Sequence, residues 1–553
     1  MRILLLCHAF NSLTQRLFVE LRERGDTVSV EFDVNDAVTR EAVALFRPEV
    51  VVAPFLKRRI PEDVWRAVPC LIVHPGPLGD RGPSALDWAI RDGAESWGVT
   101  VLQAAAEMDA GDVWCSVDFA TRPATKGELY RVEVTEAAVT AVLDALRRLA
   151  AGERPTPPAG PGRWRPSMRQ ADRAIDWRRD DTAAVLRKLR CADGAPGVLD
   201  EIAGRPVFLF DGHAAAGLGG EPGALIARSG EAVCQATADG AVWIGRARLR
   251  PSGPEERTLK LPATLVLGQA AELPEVAGGY RDLWYEERDG AGFLHFPFVN
   301  GALSAERSAR LLGAVRAAKA RDTRVLVLMG GPNVWCNGID LNAIEAASSP
   351  ADESWRAITA IDDVAEAVIT ADRQITVAAL GGNAGAGGVF LALAADLVWA
   401  RAGVVLNPHY KSMGNLYGSE YWTYLLPRRC GADHARAVTQ ARLPMGPAEA
   451  RRLGLIDEAF GHHPAEFRAA VAGRAVALAR DPGLPALLAD KRRRRAADEA
   501  AKPLQAYRDE ELARMRLNFY GFDPSYHVAR HAFVHKTPKS RTPPVLASHR
   551  RAG

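Results

Sequence analysis

The sequence predicts a multidomain α/β fold, and three observations carry that expectation. Short apolar runs alternate with helix-like stretches at the start of the chain. A Pro/Gly-rich stretch and a set of short β-like runs then break the alternation, and it resumes near residue 285. With 553 residues the chain is too long for one hydrophobic core.

The runs "RILLLC", "TVSVEF", "EVVVAPF" and "CLIVH" read as buried strands, and "LTQRLFVELRERG" between the first two reads as a helix ended by Gly25. Alternation of this kind implies a helix-covered parallel sheet, with ligands at the carboxyl ends of its strands. This Rossmann-like domain is expected over residues 1–160. "AAGERPTPPAGPGRWRP" (Ala150 to Pro166) is a linker in composition. The runs "RPVFLF", "GALIAR" and "AVWIGRARL" predict a small OB-like antiparallel barrel within 166–280. From about Tyr285, "GFLHFPFVNG", the helix "AERSARLLGAVRAAKA" and the strands "TRVLVLMGG" and "QITVAALGG" predict a second α/β domain, 285–553. The end, from "KSRTPPVLASHRRAG", reads as a polar tail or as a strap over another domain.

Composition narrows the function classes. Hydrophobic content of 48% and charged content of 25% are those of a globular protein, and a net charge of +3 gives no global reason to expect nucleic acid. Seven cysteines without CxxC spacing argue for a reducing compartment, so the expected location is the cytoplasm. "MRILLLCHAF" is better read as a first strand than as a signal peptide, and no run approaches a membrane span.

"IVHPGPLGDRGPSALDW" (Ile72 to Trp88) and "GVTVLQAAAEMDAGD" (Gly98 to Asp112) resemble the folate-binding turn and the "GVT…Q…D…GD" segment of folate-dependent formyltransferases. The barrel region, with "AIDWRRDDTAAVLRKLRC", is similar to the C-terminal domain of methionyl-tRNA formyltransferases. The resemblance implies a formyl transfer from N10-formyltetrahydrofolate in which His74 moves the proton, Asp109 orients and charges it, and Asp112 is structural. Gln15, Ile72 and Arg81 would line the folate or acceptor pocket, although a helix-start glutamine and an Arg-Gly turn also explain Gln15 and Arg81. Trp88 fits a core tryptophan equally well. The family carries an asparagine where this chain has Ile72. Losing one donor to a developing oxyanion costs roughly 2.7–4 kcal/mol of barrier. Transfer to an amine would be crippled, whereas a thiol already offers some nucleophilic thiolate at neutral pH. The substitution therefore points to a sulfur acceptor, the bland alternative being a degraded site whose histidine is kept for folding.

"VWCNGIDL" (Val334 to Leu341) followed by "GGNAGAGGVFLALAADLVWA" (Gly381 to Ala400) resembles the crotonase, or enoyl-CoA hydratase/isomerase, superfamily. The resemblance implies an oxyanion hole for a coenzyme A thioester made by the amides of Ile339 and Gly387, with Gly338 and Gly388 letting the backbone approach. A dinucleotide site is a poor alternative, because the glycines do not space as GxGxxG. The two hydratase glutamates would fall on Phe390 and approximately His409, so this is not a working hydratase. Polar groups gather instead in "NPHYKSMGNLYGSEYW" (Asn407 to Trp422), where Tyr410 and Glu420 are the candidate acid and base, in unassigned order, and Glu420 is expected to open a helix. Each alone also fits a packed tyrosine or a helix-start glutamate.

Formyl transfer and thioester binding share one intermediate, formyl-CoA, which has no α-carbon and can only lose its formyl proton and expel thiolate, giving carbon monoxide and coenzyme A. The two motif sets together resemble the HypX (HoxX) type of nickel–iron hydrogenase maturation protein. That resemblance implies carbon monoxide synthesis for the hydrogenase active site by a formyltransferase coupled to a lyase-type formyl-CoA decarbonylase. Its substrates would be formyl-tetrahydrofolate and coenzyme A. The implied protein partners are the maturation machinery or the hydrogenase large subunit, with neither nucleic acid nor membrane. Two rivals stand beside it: a formyltransferase acting on an amine of tRNA or an amino sugar with an inert crotonase domain, and a non-catalytic scaffold. "HVARHAFVHK" places His527, His531 and His535 on one helical face, and with no fourth ligand evident no metal is expected. "KRRRR" (Lys491 to Arg495) fits a solvated helical face or a contact to coenzyme A phosphates.

Overall fold

A computed structural model describes residues 1–253 and 255–551. The chain divides into two compact units, one of Met1–Arg281 joined by the tail from Lys539, the other Asp282–Pro538.

In the first unit, β1 (Arg2–Cys7), β2 (Thr27–Phe32), β3 (Val50–Phe55) and β4 (Cys70–His74) pair in parallel in the order β2-β1-β3-β4. Their near-continuous apolar runs are buried on both faces, as parallel strands require. Helix α1 (Ser12–Glu23) starts where the Asn11 side chain accepts from Thr14 N, and it ends before Gly25, which takes the left-handed φ of 93°. The sheet differs from the all-parallel one expected. β5 (Asp80–Arg81) lies outside it, while β6 (Ser96–Gln103) and β7 (Val113–Ala120) extend it antiparallel beyond β4. Residue His74 ends β4 and Gln15 lies just after β1, both at the carboxyl ends of the strands. Nor is the linker free. Its end, β8 (Arg163–Trp164), pairs with β5, and an added Cβ on Gly82 or Gly162 would strike the opposing backbone at 2.0 and 2.6 Å.

Strands β9 (Val198–Ile202), β10 (Arg205–Ala214), β11 (Leu225–Ser229), β12 (Ala232–Ala236), β13 (Ala241–Leu249) and β14 (Leu261–Pro262) form the expected antiparallel β domain. Its order is β11-β12-β13-β10-β9 with β14 on β13, and its core closes against the helix α2 (Thr182–Ala192).

In the second unit, β15 (Trp284–Arg288), β16 (Ala291–His295), β18 (Val325–Met329), β21 (Ile375–Leu380), β23 (Leu397–Arg401) and β25 (Glu458–Phe460) form one sheet, parallel after the first pair. Short strands carry the site beside it: β17 (Ala302–Leu303) pairs with β20 (Gly338–Ile339), and β19 (Val334–Cys336), β22 (Asn383–Gly385) and β24 (Leu406–Asn407) make a third sheet. Six helices matter below: α3 (Leu341–Ala346), α4 (Pro350–Ile369), α5 (Gly387–Leu393), α6 (Trp422–Cys430), α7 (Leu504–Tyr520) and α8 (Ser525–Val534).

The domain expected over 285–553 therefore loses its tail to the first unit, for a physical reason. Strand β2 is an edge, and its outward amides need acceptors. Val30 N donates to Leu546 O at 3.1 Å and Phe32 N to Thr542 Oγ1 at 2.7 Å. Glu31, buried on the same strand, is met by Thr542, by His549 Nε2 at 3.0 Å and by Arg550 Nε at 2.8 Å. Burial pushes the Glu31 carboxyl up, but these hydrogen bonds and the Arg550 charge outweigh it and hold the group below the usual glutamate range. A depressed carboxylate lends stability above its unfolded pKa and loses it as pH falls through the folded value. His549→Ala is expected to destabilise the first unit by about 1–3 kcal/mol at neutral pH, measured by denaturant unfolding. The deficit should shrink as the pH is lowered below the ordinary glutamate pKa of about 4.3.

Candidate functional site

The loop after β4 holds His74 between two carboxylates. His74 Nε2 lies 2.9 Å from Asp80 Oδ2, whereas Asp109 Oδ1 stands 3.6 Å from Nδ1, beyond hydrogen-bonding distance. The carboxylate hydrogen-bonded to the ring is thus Asp80, while the expected Asp109 faces the other ring nitrogen as an ion-pair neighbour. Asp109 sits at a left-handed φ of 56° and accepts from Gly82 N at 3.1 Å. Arg165 Nε donates to the other Asp80 oxygen at 2.6 Å, and its guanidinium lies over Trp97. The linker therefore supplies a charge that compensates the buried acid. Gly76 is obligatory here, since an added Cβ would come within 2.5 Å of both His74 Nε2 and Asp80 Oδ2.

Other expected residues fall around this centre. Arg81 donates to Pro161 O at 3.1 Å and pairs with Glu107, so it also ties the loop to the linker. Gln15 Nε2 donates to Phe10 O at 2.9 Å. Ile72 packs against the apolar core around Leu4 and Val51. Trp88 donates to Pro166 O at 2.8 Å and leans on the β-domain core, and the Asp112 carbonyl accepts from Gln103 N. Asp80 and Arg165 were missed, because neither a turn aspartate nor a linker arginine carries a periodic or motif signal.

In the second unit, Asn337 and Asp340 donate to the carbonyls of Gly301 and Leu303, which places the Ile339 amide between the two anchored positions. Gly387 opens α5, so its N–H belongs to the amides a helix start leaves unpaired. The two amides are neighbours: a Cβ on Gly338 would lie 3.3 Å from Gly387 N, and one on Gly388 would strike Cys336 O at 2.0 Å.

Against them stands the Tyr410–Glu420 pair. The Tyr410 hydroxyl is 2.5 Å from Glu420 Oε2 and 3.0 Å from Ser419 O, and its ring stacks on Phe390 at 5.1 Å. Glu420 Oε1 points at Gly387, where an added Cβ would meet it at 2.0 Å. Glu420 does not open a helix as expected. Both it and Tyr421 take left-handed φ values of 59°, and α6 begins at Trp422. The reason is visible in their amides, which donate in succession to Asp362 Oδ1 of α4 at 2.7 Å and Glu511 Oε2 of α7 at 2.9 Å.

Three carboxyls are thus buried together. Ser419 Oγ also serves Asp362, and Thr423 donates twice to Glu511. Desolvation pushes Asp362 up to about 7 and Glu511 up to about 8. Glu420 is raised well above its ordinary value by burial and then by the charge of Asp362. Both groups are thus pushed toward their protonated forms, Tyr410 first by burial and then by the neighbouring Glu420 carboxyl. A neutral Glu420 can donate to the Tyr410 oxygen while the phenol donates to Ser419 O; an ionised Glu420 accepts from the phenol. His409, half-buried beside this loop, is driven down to about 4 by burial and Arg442 and stays neutral. Cys336, buried beside the glycines, is pushed up to about 12 by desolvation, which makes it a poor nucleophile.

His531 and His535 meet Glu345 rather than each other alone. In the "KRRRR" stretch, Lys491 is buried and bonds Asp396 at 2.5 Å, and Arg495 donates to the Tyr424 hydroxyl.

The family models described as "Formyl transferase" and "Formyl transferase, C-terminal domain" match residues 28–146 and 167–256, and that for "Enoyl-CoA hydratase/isomerase" matches 293–516. A methionyl-tRNA formyltransferase of Paraburkholderia phymatum is 28% identical over 41% of this chain and 72% of its own. The hydrogenase maturation factor HoxX of Bradyrhizobium diazoefficiens is 58% identical over 100% of this chain and 97% of its own. The crystal structure of HypX from Aquifex aeolicus in complex with tetrahydrofolic acid superposes with a TM-score of 0.96 at 48% identity, covering 100% of this chain and 99% of that one. No helix among the described residues is long and apolar enough to cross a membrane. Formyltransferase domains, a crotonase-like domain and whole-chain similarity agree: the chain belongs to the HypX/HoxX family of hydrogenase maturation factors.

Proposed function

We propose that this chain makes carbon monoxide for nickel–iron hydrogenase maturation in two steps, formyl transfer from N10-formyltetrahydrofolate to coenzyme A and decarbonylation of the resulting formyl-CoA. The observation that carries the reading is the buried Tyr410–Glu420 pair set against Gly387. It stands in a crotonase-like site where Phe390 replaces a hydratase carboxyl. The tetrahydrofolate held by the Aquifex relative supports folate as the formyl donor.

In the first step the thiolate of coenzyme A attacks the formyl carbon and the carbon–nitrogen bond breaks. His74, its Nε2 held by Asp80, takes the thiol proton on Nδ1 as sulfur attacks and passes it from there to the departing nitrogen, and Asp109, 3.6 Å from Nδ1, steadies the positive charge held in between. The apolar Ile72 removes a donor that a thiolate acceptor can do without. The chain's own cysteine thiols are buried or half-buried and raised, so the external thiol is the better nucleophile.

In the second step the Ile339 and Gly387 amides hold the formyl oxygen. Glu420, neutral at the start, gives its proton to sulfur as the carbon–sulfur bond breaks. The carboxylate so formed, held by the Tyr410 hydroxyl and by Ser419 N at 3.2 Å, takes the formyl proton, leaving carbon monoxide and free coenzyme A. One carboxyl thereby serves as acid and then base, and the site returns to its starting state.

The deciding experiment mixes the protein with formyl-tetrahydrofolate and coenzyme A and follows carbon monoxide with a haem-protein trap. Gas should appear only with both substrates, and its absence would reject the proposal. His74→Ala should slow consumption of formyl-tetrahydrofolate by about 10²–10⁴-fold, and Asp80→Asn should also slow it. Glu420→Gln should cut gas release by a similar factor while formyl-CoA accumulates. Because the acid form of Glu420 starts the cycle, gas release should decline as pH rises through its elevated pKa. Glu511→Gln removes a charge that raises that pKa and should move the decline to lower pH.

A further inference from the structure

We propose that Glu345, His531 and His535 form a binding site for a divalent transition-metal ion of the borderline class, such as Zn²⁺ or Ni²⁺, which pins α8 to α3. Residues His531 and His535 stand one helical turn apart, with ring centroids 4.3 Å apart. Glu345 Oε1 lies 2.7 Å from His531 Nδ1 and 3.1 Å from His535 Nε2. One ligand atom from each residue lies within 4.8 Å of the others, and among the described residues no other such group is found. Metal–ligand bonds of about 2.0–2.1 Å place tetrahedral donors roughly 3.3 Å apart. The two carboxylate–imidazole distances need to open by roughly 0.2–0.6 Å to reach that spacing.

The surroundings orient the carboxylate as a ligand. Glu345 is largely buried, and its other oxygen accepts from Arg530 Nε at 2.7 Å. Arg530 lies over the Tyr526 ring and donates to His527 Nδ1 at 2.7 Å, and His527 Nε2 in turn meets Phe519 O at 2.9 Å. This chain leaves Oε1 facing the two imidazoles, as outer partners do at metal sites. It also gives His527 a role apart from the ligands. Two imidazoles and one carboxylate suit borderline divalent ions rather than Ca²⁺ or Mg²⁺. The His531 side chain is 60% exposed, which gives an ion an entry path and leaves room for water as a further ligand. The positive charge of Arg530 argues for reversible binding.

Pinning α8 has consequences nearby. The Tyr526 hydroxyl meets Ser354 Oγ of α4 at 2.7 Å, and an added Cβ on Gly414 would strike Ser525 O at 2.2 Å. Helix α8 is thus packed on the loop that carries Tyr410 and Glu420, and α3 begins two residues after Ile339.

The test is titration of the chelator-stripped full chain with ZnCl₂ and, separately, NiCl₂ by calorimetry, with thermal melting alongside. One equivalent of at least one ion should bind and raise the melting temperature. His531→Ala, at an exposed position, should melt like the parent without metal, weaken binding by roughly 10–100-fold or more and lose the thermal shift. Glu345→Gln should also weaken it, and His434→Ala, an exposed histidine outside the cluster, should not. Absence of saturable one-to-one binding by either ion, or equal affinity in the His531 and Glu345 variants, would overturn the proposal.

Discussion

The second unit depends on how three buried carboxyls share too few compensating charges. Asp362, Glu420 and Glu511 are almost completely buried, and Arg508 stands 3.9 Å from Asp362. Three ionised groups at that depth would repel one another in a medium that screens poorly. The backbone resolves this by steering donors. Two consecutive left-handed residues cost roughly 1–3 kcal/mol each. Their amides reach Asp362 and Glu511, and hydrogen bonds to charged groups contribute about 1.5–3 kcal/mol apiece. Glu420 receives the weakest share, a phenol and one long amide contact, and its pKa is pushed well above the usual glutamate range. Burial raises its pKa first, the carboxyls of Asp362 on α4 and Glu511 on α7 raise it further, and the bonds from Tyr410 and Ser419 of its own loop offset part of that.

The first unit shows the opposite electrostatics. Asp80 is as deeply buried as a core residue, yet it has Arg165 on one oxygen and His74 on the other. An aspartate paired on both oxygens holds the imidazole in one orientation, the condition for a histidine that trades protons. In the reaction proposed above, one site would hold a proton for the sulfur and the other would pass one to nitrogen, which suits the two ends of a formyl group's path from nitrogen to sulfur and then to loss of its hydrogen and its sulfur together.

Much of this was legible in the chain, and the limits have physical causes. Strands buried on both faces announce themselves as unbroken apolar runs, so β1, β3, β18 and β21 needed no structure to be found. The glycines at 338, 387 and 388 mark close backbone approach, and each does have a neighbour that a side chain would touch. Contacts made by side chains distant in sequence were not legible. Asp80 looks like a turn residue until Arg165 arrives from 85 positions away, and Glu511 looks like one more charge on a solvated helix until Thr423 and Tyr421 meet it. The helix expected at Glu420 failed for the same reason, since a tertiary demand for amide direction overrode the local preference.

The tail shows how an edge strand can dictate chain order. β2 ends its sheet with amides outward and a buried glutamate among them, a combination that water alone would serve badly. Segments around Thr542 and His549 fill that need, so the first unit is assembled from both ends of the chain and the second is an insertion within it. An inserted unit is joined by two covalent links instead of one. For a reaction pair in which one unit's product is the other's substrate, that connection keeps both at equal abundance and raises the effective concentration of the shared intermediate over that of two free proteins. An edge that must be covered thus becomes a reason for the two units to travel as one polypeptide.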